Sequence, residues 1–324
     1  MTDTSATRLL TTATPVLFVL MWATGFVVAR LSAPHADPLT FLSMRFPIAG
    51  VCFALIALAL RAPWPGTRQA FHASIAGALL HGAYLGPVYW AVAHGMPAGV
   101  SALIVGLQPL MTAILAAWIV KEQISLRHWA GLAVGILGVG LVVSPKLHYG
   151  LTGGITPLTT AVTVFGALSI SLGTVYQKRF ATARNLASGG AWQYVGATLA
   201  VLVFALAMED MRFDGSFQAW FALGWSVIVL SLGAITLLML LIRLGDVGRV
   251  ASLIFLVPGV SALMAYGLFG ETLTLVQIIG MAVGANLLIF EPMGEEVRHG
   301  HTPPACIAAG YYKALSAIIH RNGT

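Results

Sequence analysis

The hydrophobic positions of the chain gather into ten long runs, at approximately 14–31, 39–60, 71–93, 98–120, 127–145, 155–176, 188–208, 218–242, 247–269 and 273–291. A helix needs roughly 20 mainly apolar residues to cross a bilayer. The pattern therefore predicts ten transmembrane helices, spans 1 to 10. The polar stretches between them are short and leave no room for an inserted soluble domain. The first run is followed by nine more, so it reads as an uncleaved span and not as a removable signal peptide. Beyond Pro292 lies a tail whose stretch 311–320 is weakly amphipathic.

Composition supports this reading. Hydrophobic residues make up 58% of the 324 and charged residues only 9%, where a soluble domain carries about 25%. So little polar side chain cannot coat a water-facing surface, and the surplus apolar surface must face lipid. A net charge of +6 could suggest nucleic acid. The basic residues, however, sit in short loops between apolar runs, so the expected partners are the lipid bilayer and a small-molecule substrate, with no nucleic acid. Of the two cysteines, Cys52 lies in an apolar run and Cys306 in the tail, which argues against a disulfide framework. No Cys/His spacing of a metal site occurs, and no cofactor is expected.

Charge also sets orientation, because Lys and Arg accumulate in cytoplasmic loops. With both termini inside, thirteen of the 17 fall in cytoplasmic segments. Three lie outside (Arg30, Lys146 and Arg212), and Arg45 lies within a span. The reversed topology would put the thirteen outside.

The two halves resemble each other. At an offset of 149 residues Gly99 meets Gly248, Ala102 meets Ala251, Pro109 meets Pro258, Glu122 meets Glu271, and Gly131 and Gly135 meet Gly280 and Gly284. Twelve of the 37 positions from 99 to 135 are identical without a gap. At an offset of 148, Gly25 meets Gly173, Arg30 meets Lys178 and Arg45 meets Gln193. Each half holds five spans, an odd number, so corresponding spans cross the membrane in opposite senses. The expected fold is an all-α integral membrane protein of ten transmembrane helices with both ends inside. It comprises two inverted five-helix repeats, residues 1–147 and 148–291, and a cytoplasmic tail, 292–324. Inverted repeats recur in secondary transporters, because one pattern in two orientations gives inward-open and outward-open states similar energies.

The paired segments 102–122 and 251–271 each read as a small residue, an apolar run, a central proline and a terminal glutamate before a Gly-rich helix. With the sequence Trp22-Ala23-Thr24-Gly25-Phe26 and with Arg45, they resemble the EamA-like members of the drug/metabolite transporter superfamily. The resemblance covers roughly 14–291. It implies export, or occasionally uptake, of small polar metabolites by alternating access, and leaves the substrate open.

Candidate residues follow from what is expensive in lipid. Arg45 is the only basic residue within a span, about two turns from the outer end of span 2, and intramembrane charges are usually functional. It could meet a substrate carboxylate or phosphate, or snorkel to outer headgroups. His81, near the middle of span 3, shares a helical face with Tyr84. It could relay protons, bind a ligand, or simply bond to a neighbouring helix. Gln108 could bind substrate or satisfy the carbonyl that Pro109 frees. Trp22 and Asn286 are deep enough to line a cavity, while Trp90, Trp192 and Tyr176 read as interface anchors. Pro109 and Pro258 suggest paired hinges, since proline removes a backbone hydrogen bond. Glu122 and Glu271, each between two helices, suggest structural or gate roles beside helix N-termini. The Gly-x-x-x-Gly pairs on spans 5 and 10 suit packing within the bundle or a dimer face.

No Asp or Glu lies deep in a span, so proton coupling would need His81, a terminal glutamate or the substrate itself. A lone Arg suits a substrate with a negative group, amino acids and related metabolites fitting best. A phospholipid or lipid-linked substrate translocase would share this architecture. A membrane enzyme would need convergent acids, His–Asp pairs or metal ligands, and the spans offer none. Monomer and homodimer are both compatible with the chain.

Overall fold

The computed structural model describes residues 4–120, 154–181, 185–237 and 257–271. These residues form helices and no named strand, and six of the helices are long and apolar enough to cross a membrane. Helix α1 is Thr4–Ser32, α2 is Pro38–Ala59, and α3 is Thr67–Ala93. Helix α4 is Ala98–Ile119, α5 is Pro157–Phe180, α6 is Leu186–Met208, and α7 is Phe217–Leu237. Helix α8 is Val257–Phe269. Spans 5 and 10, with Glu122 and Asn286, lie outside the described residues.

Helix starts follow local chemistry. Thr156 and Thr159 cap each other at the start of α5. The Asn185 side chain accepts the backbone N–H groups of Ala187 and Ser188 at α6, and Ser216 accepts that of Ala219 at α7. Helix α2 is capped from elsewhere. Glu209, just past the end of α6, accepts the N–H groups of Leu39 and Thr40 and the Thr40 hydroxyl. A carboxylate at a helix N-terminus also complements the helix dipole.

That contact fixes a direction. The start of α2 meets the end of α6, and at the other end of the pair Ser188 of α6 donates to the Pro63 carbonyl beyond α2. The two helices, which correspond in the internal repeat, therefore run antiparallel. Helices α4 and α8 correspond likewise, and the Glu271 carboxylate just past α8 lies against the backbone N–H groups of Ala98 and Gly99 at the start of α4. Contacts elsewhere obey the same exchange of halves. Helix α1 packs on α8 as α5 packs on α4, and α3 packs on α5 as α7 packs on α1.

The end of the bundle holding the α1–α2 and α6–α7 turns is clasped by polar contacts. Ala36 and Phe213 form a β-bridge, Asp37 pairs with Arg212, and His35 Nδ1 lies 2.7 Å from Asp214 Oδ2. Hydrogen bonds from the Ser216 backbone and side chain, then from His35, hold the Asp214 carboxyl down at about 2. The core runs along α2, α3 and α6 through Phe41, Leu42, Phe46, Tyr89 and Tyr194, all fully buried.

Helices α3 and α7 each contain a π-helical stretch, Ala78–Gly82 and Ser226–Ala234. Ala78 and Ser226 are partners at the 148-residue offset. Such wider turns concentrate at functional sites.

Candidate functional site

The π-helical stretch of α7 packs on α2 near Arg45, and that of α3 packs mainly on α6 and α5, with His81 6.3 Å from the Phe46 ring beside Arg45. Its side chain is buried, with the residue 5% exposed. Nε and Nη2 donate to Ser231 Oγ at 3.3 and 3.2 Å, and Nη1 donates to the Tyr89 hydroxyl at 3.3 Å. Ser231 belongs to the π-helical stretch of α7 and Tyr89 to the C-terminal half of α3. Among the described residues no carboxylate lies within ion-pair distance of Arg45. The guanidinium is held by neutral oxygens, which fix its position without cancelling its charge.

His81, in the π-helical stretch of α3, stacks on Tyr194 of α6 with ring centroids 4.8 Å apart and planes 5° from parallel. Phe46 and Phe53 of α2 flank the same tyrosine at 5.9 and 5.6 Å. The His81 Nε2 is buried and makes no close hydrogen bond among the described residues, although the Gln193 side chain lies within polar reach of the ring. Arg45 lies within electrostatic reach of His81, Tyr84, Tyr89 and Tyr194. The result is one cation, one imidazole nitrogen without a close hydrogen bond among the described residues, and a set of aromatic hydroxyls in a buried interior. This arrangement can bind an anion and orient a second polar group. Among the described residues it offers no cluster of metal-ligating side chains.

Close helix approach builds this centre. A Cβ on Gly77 would run into the Gln193 backbone carbonyl, so α3 and α6 touch backbone to backbone just before His81. Gln193 is the repeat partner of Arg45, and Tyr194 follows it.

The candidates predicted from the sequence divide accordingly. Arg45, His81 and Tyr84 meet in one cluster. Trp22 is partly buried and packs on Phe18 at 5.3 Å. Gln108 is partly buried, and its backbone carbonyl accepts a hydrogen bond from Ser171 of α5 at 3.1 Å. Tyr176 bonds His72 at 2.7 Å, an interhelix contact in addition to the anchoring role its position suggested. Three members of the cluster were not singled out from sequence: Tyr89, Tyr194 and Ser231. Tyr194 carried a usable signal, since it aligns with Phe46 beside the Arg45–Gln193 pair. Ser231 carried none.

Pro258 lies at the contact between α4 and α8. Helix α4 is interrupted at Gly106 and Leu107, immediately before Gln108 and Pro109. A Cβ on Gly106 would come within 2.9 Å of Pro258 Cγ, so the break in α4 seats the proline of α8. At the clasped end, Glu271 Oε1 lies 3.6 Å from Arg30 Nε, joining α1, α4 and α8. Burial raises the Glu271 pKa, while Arg30 and the α4 N–H groups oppose that shift.

Comparison with known proteins gives a consistent picture. The model of the EamA-like transporter family matches residues 12–144 and 159–286. The chain is 24% identical over 276 residues to YedA, an uncharacterized inner membrane transporter of Escherichia coli K12, covering 85% of this chain and 88% of that one. It is 27% identical over 297 residues to a probable amino-acid metabolite efflux pump of Salmonella typhimurium LT2, covering 87% and 94%. It is 27% identical over 280 residues to a probable terminal-alkyne amino-acid exporter of Streptantibioticus cattleyicolor, covering 83% and 89%. A solved crystal structure of 21% identity shares the fold, with a TM-score of 0.59 over 86% of this chain and 95% of the other.

Proposed function

The chain belongs to the EamA-like transporter family, and from that premise we propose that it is a secondary exporter of small polar metabolites bearing an anionic group, such as amino acids and their relatives. It is a multi-pass inner-membrane protein. In the proposed arrangement ten spans run with both termini inside, and the two inverted halves exchange access to a central site.

The observation that carries the reading is the buried Arg45 guanidinium, whose hydrogen-bond partners among the described residues are all hydroxyls. A charge inside the membrane is costly unless it is paired or hydrated. An anionic substrate supplies the missing charge at the moment of binding, so the cation provides both affinity and selection against cations. His81 Nε2 offers a hydrogen bond to a second group on the substrate, and the stacked His81 and Tyr194 rings wall the site. Pro258 packs against the break in α4 just before Pro109, and that contact is the proposed hinge between the halves. Glu271 and Arg30 latch the clasped end. The amino-acid exporters among the relatives support the substrate class.

Flux in proteoliposomes tests this. Labelled amino acids and organic acids are screened with and without a pH gradient. Wild type is expected to give saturable flux of anionic or zwitterionic solutes. Arg45→Gln is expected to reduce it by about 30-fold or more, the lower end of what losing one partner of a buried charge pair costs. Undiminished flux in Arg45→Gln at equal reconstitution would refute the anion-anchor role. Flux that follows the gradient would make His81, Glu122 and Glu271 the next variants to test for coupling.

A further inference from the structure

Away from the central site, a groove of about 660 Å³ opens on the outer surface of the bundle between α3 and α6. Its lining is almost wholly apolar and includes Pro65, Thr67, Phe71, Trp192, Val195 and Leu199. The floor is the close approach of the two helices at Gly77 and Gly196, where a side chain on either glycine would strike the backbone of the other helix. From that contact the helix surfaces diverge toward lipid.

Three observations identify an occupant. The first is depth. Ala200, the deepest lining residue on α6, lies fourteen residues from the helix start at Leu186, which is about 21 Å at 1.5 Å per residue. The hydrocarbon core of a bilayer is about 30 Å thick, so one leaflet occupies about 15 Å. The groove thus matches one leaflet with its headgroup layer. A helix of a second copy would run the full thickness. The second is charge. The mouth of the groove, at Pro65 and Thr67, is flanked in sequence by Arg61 and Arg68, both exposed. Neither has a carboxylate partner among the described residues. The third is the aromatic pair at that level. Trp64 beside the mouth and Trp192 within the groove are both partly exposed, as tryptophans at the headgroup boundary are.

We propose that this groove is a binding site for one anionic phospholipid of the leaflet at that end, with an acyl chain along α3 and α6 and the phosphate against Arg61 and Arg68. This site is separate from the Arg45 centre and does not depend on what that centre transports. Its occupancy braces α3 against α6 at the level of the Gly77 contact.

Native mass spectrometry of the full chain, released from nanodiscs holding equal amounts of phosphatidylglycerol and phosphatidylethanolamine, tests the proposal. Each arginine beside an anionic surface favours binding about fivefold, so wild type is expected to retain phosphatidylglycerol with a preference of about 30-fold. The exposed-site variant Arg61→Gln/Arg68→Gln should bring the preference close to parity. Val195→Trp, which fills the groove from its open side, should strip both lipids. Equal retention of the two lipids by wild type would overturn the proposal, as would a preference that survives loss of both arginines. A dimer free of lipid would instead assign the groove to a second copy of the chain.

Discussion

Gly77 and Gly224 both lie within membrane-spanning helices, yet adding a side chain has opposite consequences at the two positions. At Gly77 the new atom meets the Gln193 backbone, which cannot move aside as a flexible side chain would. At Gly224 nothing lies within 4 Å. Gly77→Val is therefore expected to cost at least the roughly 1–3 kcal/mol typical of overpacking. Gly224→Ala should be neutral or stabilising by up to about 1 kcal/mol, from helix propensity alone. Thermal unfolding of both variants in detergent checks the pair, and similar melting shifts would contradict the contact. Arg45 illustrates the same dependence on surroundings. Its position in an apolar run marked it as exceptional in the sequence. Its actual partners, Ser231 and Tyr89, are 186 and 44 residues away, and no local pattern links them.

Among the helices, capping follows two different logics. Helices α5, α6 and α7 carry their own N-caps, Thr156, Asn185 and Ser216, visible in the sequence as a polar residue ahead of an apolar run. Asp37 stands at the cap position of α2 but makes no side-chain cap bond, and it instead accepts from the Arg212 backbone N–H. Glu209 takes over the capping from across the bundle. Removing it leaves two backbone donors and a hydroxyl without their acceptor. Glu209→Ala is thus expected to destabilise by about 1–2 kcal/mol, the upper part of the range for losing an N-cap. Asp37→Ala should cost less, because α2 does not use that side chain. Denaturation of the two variants side by side measures the difference, and a larger loss in Asp37→Ala would reverse the assignment. The π-helical stretches of α3 and α7 belong to this scale too. They start at equivalent positions, Ala78 and Ser226, and one supplies Ser231 to Arg45 while the other carries His81.

The whole molecule is organised by exchange of its two halves. Helix α2 lies antiparallel to its partner α6, and α4 to α8, so inversion is visible as direct contact between corresponding helices. In the proposed cycle α4 and α8 separate at the clasped end to open the site there. Gly99 and Ala262 touch across this pair, with a Cβ on Gly99 falling 3.1 Å from the Ala262 Cβ. That spacing is close to the disulfide range of about 3.5–4.5 Å. In a chain with Cys52 and Cys306 replaced by serine, oxidised Gly99→Cys/Ala262→Cys is expected to lose flux nearly completely and to regain it on reduction. Full flux in the cross-linked form would show that α4 and α8 do not part at this point during transport.

The sequence by itself determined the membrane class, the repeat and the special standing of Arg45, His81, Tyr84 and the two prolines. Each rests on a local or periodic property: length of apolar runs, spacing of identical residues, or a polar group where lipid penalises it. Only the tertiary structure decided which of those residues meet. Helix α3 brings His81 to Tyr194 because Gly77 lets α6 approach to backbone contact. Helix α7 brings Ser231, within its widened stretch, to Arg45. The break at Gly106 receives Pro258, so the proline of one half packs against the broken helix of the other. These outcomes depend on crossing angles and close approaches between helices, and a one-dimensional hydrophobic pattern carries no information about either.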